Sequence, residues 1–252
     1  MKKITSILIL FCFCFSFVSA SVASEQSSSG ITYESEGFAT AEEAAIHYLE
    51  GLRDLDMPKM IRSFAIETFV QNLDWKAHLT RGAGFSYPTA TIKFPGTQDI
   101  YQAINIESRK NQIVTGIFWQ ITAQIMPDVD FLTPIPLRDE ASVDEFLALY
   151  PTDADSFFET IEIGECIDPA TLSYAYANED TQTLMNQNGQ TYGADELKGV
   201  TIRFSMDGRE FIFGCDAVRY GERWYLYSLG GITAQLIGAL PLDGGIVEVP
   251  SE

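Results

Sequence analysis

Residues able to do chemistry are few and scattered in this 252-residue chain. The two histidines, His47 and His78, fall on the outer sides of their helices by periodicity, where a solvated role fits better than proton transfer or metal binding. No spacing of His, Cys and carboxylate matches a zinc site. Asn186, Asn188 and Gly189 follow part of a calcium-loop pattern, but Leu184 stands where the first ligand belongs. The acidic pairs Asp128 with Asp130 and Asp153 with Asp155 have a spacing that suits weak calcium binding, though capping of their own loops is the better account of both. Phosphate loop, GxSxG and dinucleotide fingerprint are all missing. The sequence therefore assigns no catalytic residue, no metal ligand and no cofactor.

Cysteine usage depends on the compartment. Met1-Lys2-Lys3 followed by the apolar run Ile4 to Val18 has the form of a secretory signal, with small residues for cleavage after Ala20 or Ala23. The run is short for a membrane span, which needs about 20 apolar residues. Cleavage removes Cys12 and Cys14 and leaves Cys166 and Cys215, an even pair that in an extracytoplasmic protein is expected to form a disulfide. The alternative is two thiols buried as small apolar residues.

The net charge of −19 becomes −21 once the signal segment takes away two lysines and no acid. Such a surface repels phosphate backbones and anionic lipid heads, which disfavours nucleic acid and anionic membrane surfaces as partners. Cationic partners and divalent ions stay open, and the partners expected are a small molecule, an envelope protein or a second copy in a homodimer.

The elements that must position any site are legible in order. Ser24 to Gly37 is polar and Ser-rich and reads as a disordered linker. One domain is expected over 38–242, followed by a mobile acidic tail over 243–252. Thr40 with Glu43 marks a capped helix start, and Ala41, Ala45, Tyr48, Leu49 and Leu52 form its apolar stripe. Asp56 with Pro58 starts a second helix. The segment from Thr97 to Met126 reads as one long helix or as two broken near Ser108 to Asn111. Trp224 to Leu242 carries no charge, yet its paired glycines and Pro241 favour a strand plus a packed helix over a membrane span.

Val200 to Leu229 predicts three antiparallel strands. Asp207-Gly208 suits a type I′ turn and Gly221-Glu222 a type II′ turn, and these fix the register. Met206 then faces Arg209, Phe204 faces Phe211, Ile202 faces Phe213 and Val200 faces Cys215, while Arg219 faces Trp224 and Ala217 faces Leu226. These share one mostly apolar face, which helices must cover. The predicted class is α+β, with N-terminal helices on one face of a curved, cone-like antiparallel sheet.

The helix pair FATAEEAAIHYLEGLRDLDMPKMIRSFA resembles the opening of the nuclear-transport-factor-2-like (ketosteroid-isomerase-like) superfamily, and RYGERWYLYSL is similar to its last two strands. The INIESRKNQIV and RYGERWY segments also resemble a wider set of secreted bacterial proteins, a likeness that implies no activity. The superfamily resemblance implies a pocket between sheet and first helices, lined by Tyr48, Trp119, Arg219 and Ser228. An isomerase or dehydratase of that type would need a carboxylate or histidine there, and the apolar face supplies none. On the other face Ile212, Val218, Tyr225 and Tyr227 form a patch for a second subunit, unless the helix of Thr97 to Met126 covers it. The expected function is a non-catalytic secreted or envelope domain that binds a ligand or partner. The alternative is a small-molecule isomerase or dehydratase.

Overall fold

The computed structural model describes residues 32–81, 92, 94–150 and 154–250. The first part is helical: α1 (Ala41–Arg53), α2 (Met57–Arg62), α3 (Glu67–Asn72), α4 (Trp75–Arg81), the 27-residue α5 (Asp99–Ile125), α6 (Glu140–Leu147) and α7 (Ala154–Glu159). The rest is mixed: β1 (Glu162–Ile167), α8 (Pro169–Leu172), α9 (Glu179–Thr191), β2 (Glu196–Met206), β3 (Arg209–Tyr220), β4 (Arg223–Ser228), α10 (Ile232–Leu236) and β5 (Ile246–Glu248). The fold is α+β, and α5 is continuous through Ser108 to Asn111. Among the described residues no helix is long and apolar enough to cross a membrane.

The sheet runs β1-β2-β3-β4, all antiparallel, with β5 beside β3. Asp207 and Gly208 both take positive φ, +51° and +70°, as a type I′ turn demands, and Gly221 takes +60°. Every predicted partner pair of the meander is present, from Met206 with Arg209 to Ala217 with Leu226. Register irregularities at Ile163/Cys166 and Asp216/Ala217 are the bulges that bend such a sheet.

α1 starts where predicted, with Thr40 Oγ1 accepting from the Glu43 N–H at 3.1 Å, although the Glu43 carboxylate reaches Ala39 N rather than Thr40 N. Its stripe buries Ala45, Tyr48, Leu49 and Leu52 against Ile202, Phe204, Phe213 and Leu226. The Tyr48 ring stacks on Phe213 and meets Phe64 edge-on. Each fully buried large side chain here contributes roughly 1.5–3 kcal/mol.

The second sheet face carries its own core. Phe69, Val70 and Leu73 from α3 and its end, with Met185 from α9, pack on Leu197, Val218 and Tyr225. Three of the four residues of the expected interface, Val218, Tyr225 and Tyr227, therefore pack within the chain, while Ile212 stands half-buried outside that cluster. Val218 and Tyr225 are buried, Tyr227 stacks on Tyr192 at 4.1 Å, and Ile212 lies beside Val247 of β5. The covering elements are mainly α3, of six residues, and α9, of thirteen, whose sequences point to no such partner.

Three further expectations are corrected. The expected linker is ordered at its C-terminal end: the Glu34 carboxylate accepts from the N–H groups of Ile66, at 2.7 Å, and Thr68, at 3.1 Å, and so caps α3. The expected tail is not all loose, because Ile246–Glu248 forms β5 and Ile246 is buried. Cys166 and Cys215 are free thiols. Cys166 pairs with Ile202 across β1-β2, and Cys215 with Val200 across β2-β3, so β2 lies between them. Strands spaced about 4.8 Å apart put second neighbours roughly 9–10 Å apart, beyond the span of a disulfide.

Candidate functional site

β4 ends at Ser228, and Leu229-Gly230-Gly231 turns the chain into α10. The Asp216 carboxylate fixes that turn. Buried in β3, it accepts from Ile232 N at 2.8 Å and Thr233 N at 3.1 Å. Gly231 makes room: a Cβ there would stand 1.9 Å from an Asp216 carboxylate oxygen. Burial raises the Asp216 pKa above 3.8, and its bonds to Thr233 and Ile232 oppose the rise.

Beyond α10 the chain returns through Pro241, Leu242 and Gly244. This return is tied to α5 by Gln120, whose Nε2 donates to Gly244 O at 2.5 Å while its Oε1 accepts from the buried Tyr48 hydroxyl at 2.5 Å. Gly244 takes φ +57° close under the Gln120 side chain.

A cavity of ≈160 Å³ lies between this return, the end of β4 and α5. Phe64, Ile113, Trp119, Leu229, Pro241 and Leu242 give it apolar walls, and Arg109, Gln112, Tyr227 and Ser228 bring polar groups. Gly116 lines it from mid-helix, and a Cβ there would meet nothing within 4 Å. Glycine inside a helix costs about 0.5–1 kcal/mol relative to alanine. Here that cost keeps a wall of α5 low.

Arg109 is the unusual group. It is only 2% exposed. Its guanidinium lies 4.7 Å from the ring centres of both Phe69 and Tyr227, and Tyr192 stacks behind Tyr227. Nε donates to Ala65 O at 3.4 Å, NH1 to Gln112 Oε1 at 2.7 Å and NH2 to Tyr227 O at 2.5 Å. Burial lowers its pKa, and Tyr227, Tyr220 and Tyr192 oppose that, but an arginine so placed keeps its proton. No carboxylate pairs with it among the described residues. Aromatic faces and carbonyl dipoles carry the charge in place of an acid.

The pocket expected between the sheet and the first helices is filled by the α1 stripe, and of the four residues expected to line it Trp119 and Ser228 line this different cavity instead. Tyr48 is sealed in the core, its hydroxyl spent on Gln120. Arg219 sits on the β3 rim and pairs with Glu196 at 3.2 Å. Arg109, Gln112 and Gly116 were missed. Yet five of the six buried positions of α5, Asn105, Arg109, Ile113, Ile117 and Gln120, follow a stripe of fours and a three, and Thr122 alone departs from it. Stepping back four residues from Ile113 would have found Arg109.

The two histidines stay apart from this site. His47 lies half-buried against Phe38, with its Nδ1 2.9 Å from Ser63 Oγ, and burial lowers its pKa. His78 stands beside Trp75, also lowered by burial. Asp130 caps its own loop at Leu132 N and Thr133 Oγ1, as expected, while Asp153 falls outside the described residues. A wider cleft of ≈400 Å³ includes Cys166 and Lys198. Lys198 there is already matched, its Nζ lying 2.6 Å from Glu42, and burial raises the Cys166 pKa, which leaves the thiol a poor nucleophile.

No protein-family model matches the chain, and no curated protein matches it. Among solved structures it is similar to a cystatin-like protein from Ruminococcus gnavus ATCC 29149, with a TM-score of 0.45 and 16% identity. The alignment covers 85% of this chain and 46% of the other, so this chain spans less than half of that protein's length.

Proposed function

We propose that this chain is a non-catalytic domain that binds a small molecule in the cavity between α5, the end of β4 and the Pro241–Gly244 return. The observation that carries the reading is Gly116, which holds a wall of the cavity open at a cost in helix stability. Engineered cavities of about 150 Å³ admit a benzene-sized guest, which sets the scale of the ligand. The lining favours binding over turnover. Among the described residues its polar groups are an arginine, a glutamine, a serine and a tyrosine, without the carboxylate or imidazole on which proton transfer near pH 7 usually draws.

The same proposal places the protein outside the cytoplasm, supported by the charged-then-apolar opening of the sequence, and relates its fold to the nuclear-transport-factor-2-like superfamily. That relation is supported by α1 lying on the sheet and by RYGERWYLYSL forming the hairpin of β3 and β4. Mass spectrometry of exported protein should find chains starting at Ser21 or Ser24. Intact chains confined to the cytosol would contradict the placement.

The binding reading is tested with Gly116→Leu, which fills the cavity from a helix that tolerates leucine well. Ligand-observed NMR with benzoate, phenylacetate, isovalerate and their amides should detect binding to wild type and none to the variant. Binding that survives the substitution, or no binding to wild type, would overturn it.

A further inference from the structure

Arg109 says more about the ligand than the apolar walls do. A buried arginine normally has an acid beside it, since an unpaired charge in a dry site is costly. This one has carbonyls and rings. Of its five N–H donors, three reach Ala65 O, Gln112 Oε1 and Tyr227 O, which leaves two without a protein partner among the described residues. The rings of Phe69 and Tyr227, 5.6 Å apart, both lie against the group, and its three hydrogen bonds hold it, so little side-chain freedom remains to be lost when an anion arrives.

We infer that the cavity takes a small monocarboxylate, its carboxylate on the Arg109 guanidinium and its ring-sized or branched apolar body against Ile113, Trp119 and Leu242. This rests on the binding reading above and names its ligand class. A planar fork of donors matches the two oxygens of a carboxylate. A phosphate dianion would call for more positive charge, and among the described residues Arg109 is the only cation in the lining. The ≈160 Å³ of the cavity holds a ring-sized or short branched body, and the tail of a longer acid would have to lie outside it. The acidic surface does not forbid the anion. Exposed charges are screened beyond about 8 Å at physiological salt, whereas the guanidinium acts at contact.

The test compares each acid with its primary amide, which has nearly the same shape and no charge. Calorimetry on the purified protein uses benzoate with benzamide, phenylacetate with phenylacetamide, and isovalerate with isovaleramide. At least one acid is expected to bind about tenfold or more tightly than its amide, the scale of one charge-assisted hydrogen bond. Arg109→Met should bring acid and amide to the same affinity. If that variant fails to fold, the wild-type ratio decides alone. Amides that bind as tightly as acids would overturn the carboxylate assignment while leaving the cavity reading intact. Failure of all six compounds would overturn both.

Discussion

The two faces of the sheet are packed by different chemistry. The face turned to α1 is a run of aliphatic and aromatic residues in strict alternation, filled by the α1 stripe. The other face mixes Val218, Tyr225 and Tyr227 with a buried Asp216, takes its cover from α3, α9 and α10, and brings Arg109 of α5 against Tyr227. The first face makes the body stable. The second, with Asp216 held by backbone N–H groups and Arg109 by carbonyls and rings, shapes the end of β4 into a cavity. Stability and site thus share one sheet but draw on separate residues, and substitutions should separate them.

The largest effect is expected on the filled face. Phe213→Ala removes a fully buried ring stacked on Tyr48 and should cost about 3–5 kcal/mol in chemical denaturation. A loss under 1 kcal/mol would mean that this face is not the main core. Arg109→Met should cost less, about 1–3 kcal/mol. It leaves the carbonyls of Ala65 and Tyr227 unmatched but removes a buried charge, and the two effects oppose each other.

Asp216 offers a test by pH. Its folded pKa lies above the ordinary 3.8, so the native state holds the proton more tightly than the unfolded chain. The resulting stability is complete below 3.8 and is lost as pH rises through the raised folded value. Measured against Asp216→Asn, wild type should lose stability over that upward window. A difference that is flat with pH would show that the hydrogen bonds at α10 offset the burial in full.

The smallest expected effect has the opposite sign. Gly116→Ala should stabilise the protein by about 0.5–1 kcal/mol, because α5 gains propensity and the new methyl meets nothing within 4 Å. Destabilisation would mean that the helix cannot hold a side chain there.

The filled face was legible in the sequence because period-two alternation and two glycine turns over-determine register. Asp207-Gly208 and Gly221-Glu222 alone fix which residues meet. The start of α1 was legible from Thr40 and Glu43 for the same local reason. The other face was not, because its partners are distant in the chain. Nothing near Tyr227 announces Tyr192 or Phe69, and nothing near Ser63 announces that it and Phe38 bond along the β4 edge. Apolar residues also misled: Ile100 and Phe118 look like core by type yet stand exposed, while Asn105, Arg109 and Gln120 on the same helix are buried. Counting by residue type hides a polar stripe that counting by position reveals. The missing disulfide has the same origin, since two cysteines on apolar strands carry no information about the strand between them.

The most direct measurement is a crystal structure of the protein grown in phenylacetate. The account predicts density between Trp119 and Leu242, with the carboxylate within hydrogen-bond distance of the Arg109 guanidinium. Density on the surface alone, or a cavity closed by collapse of the Pro241–Gly244 return onto α5, would contradict it.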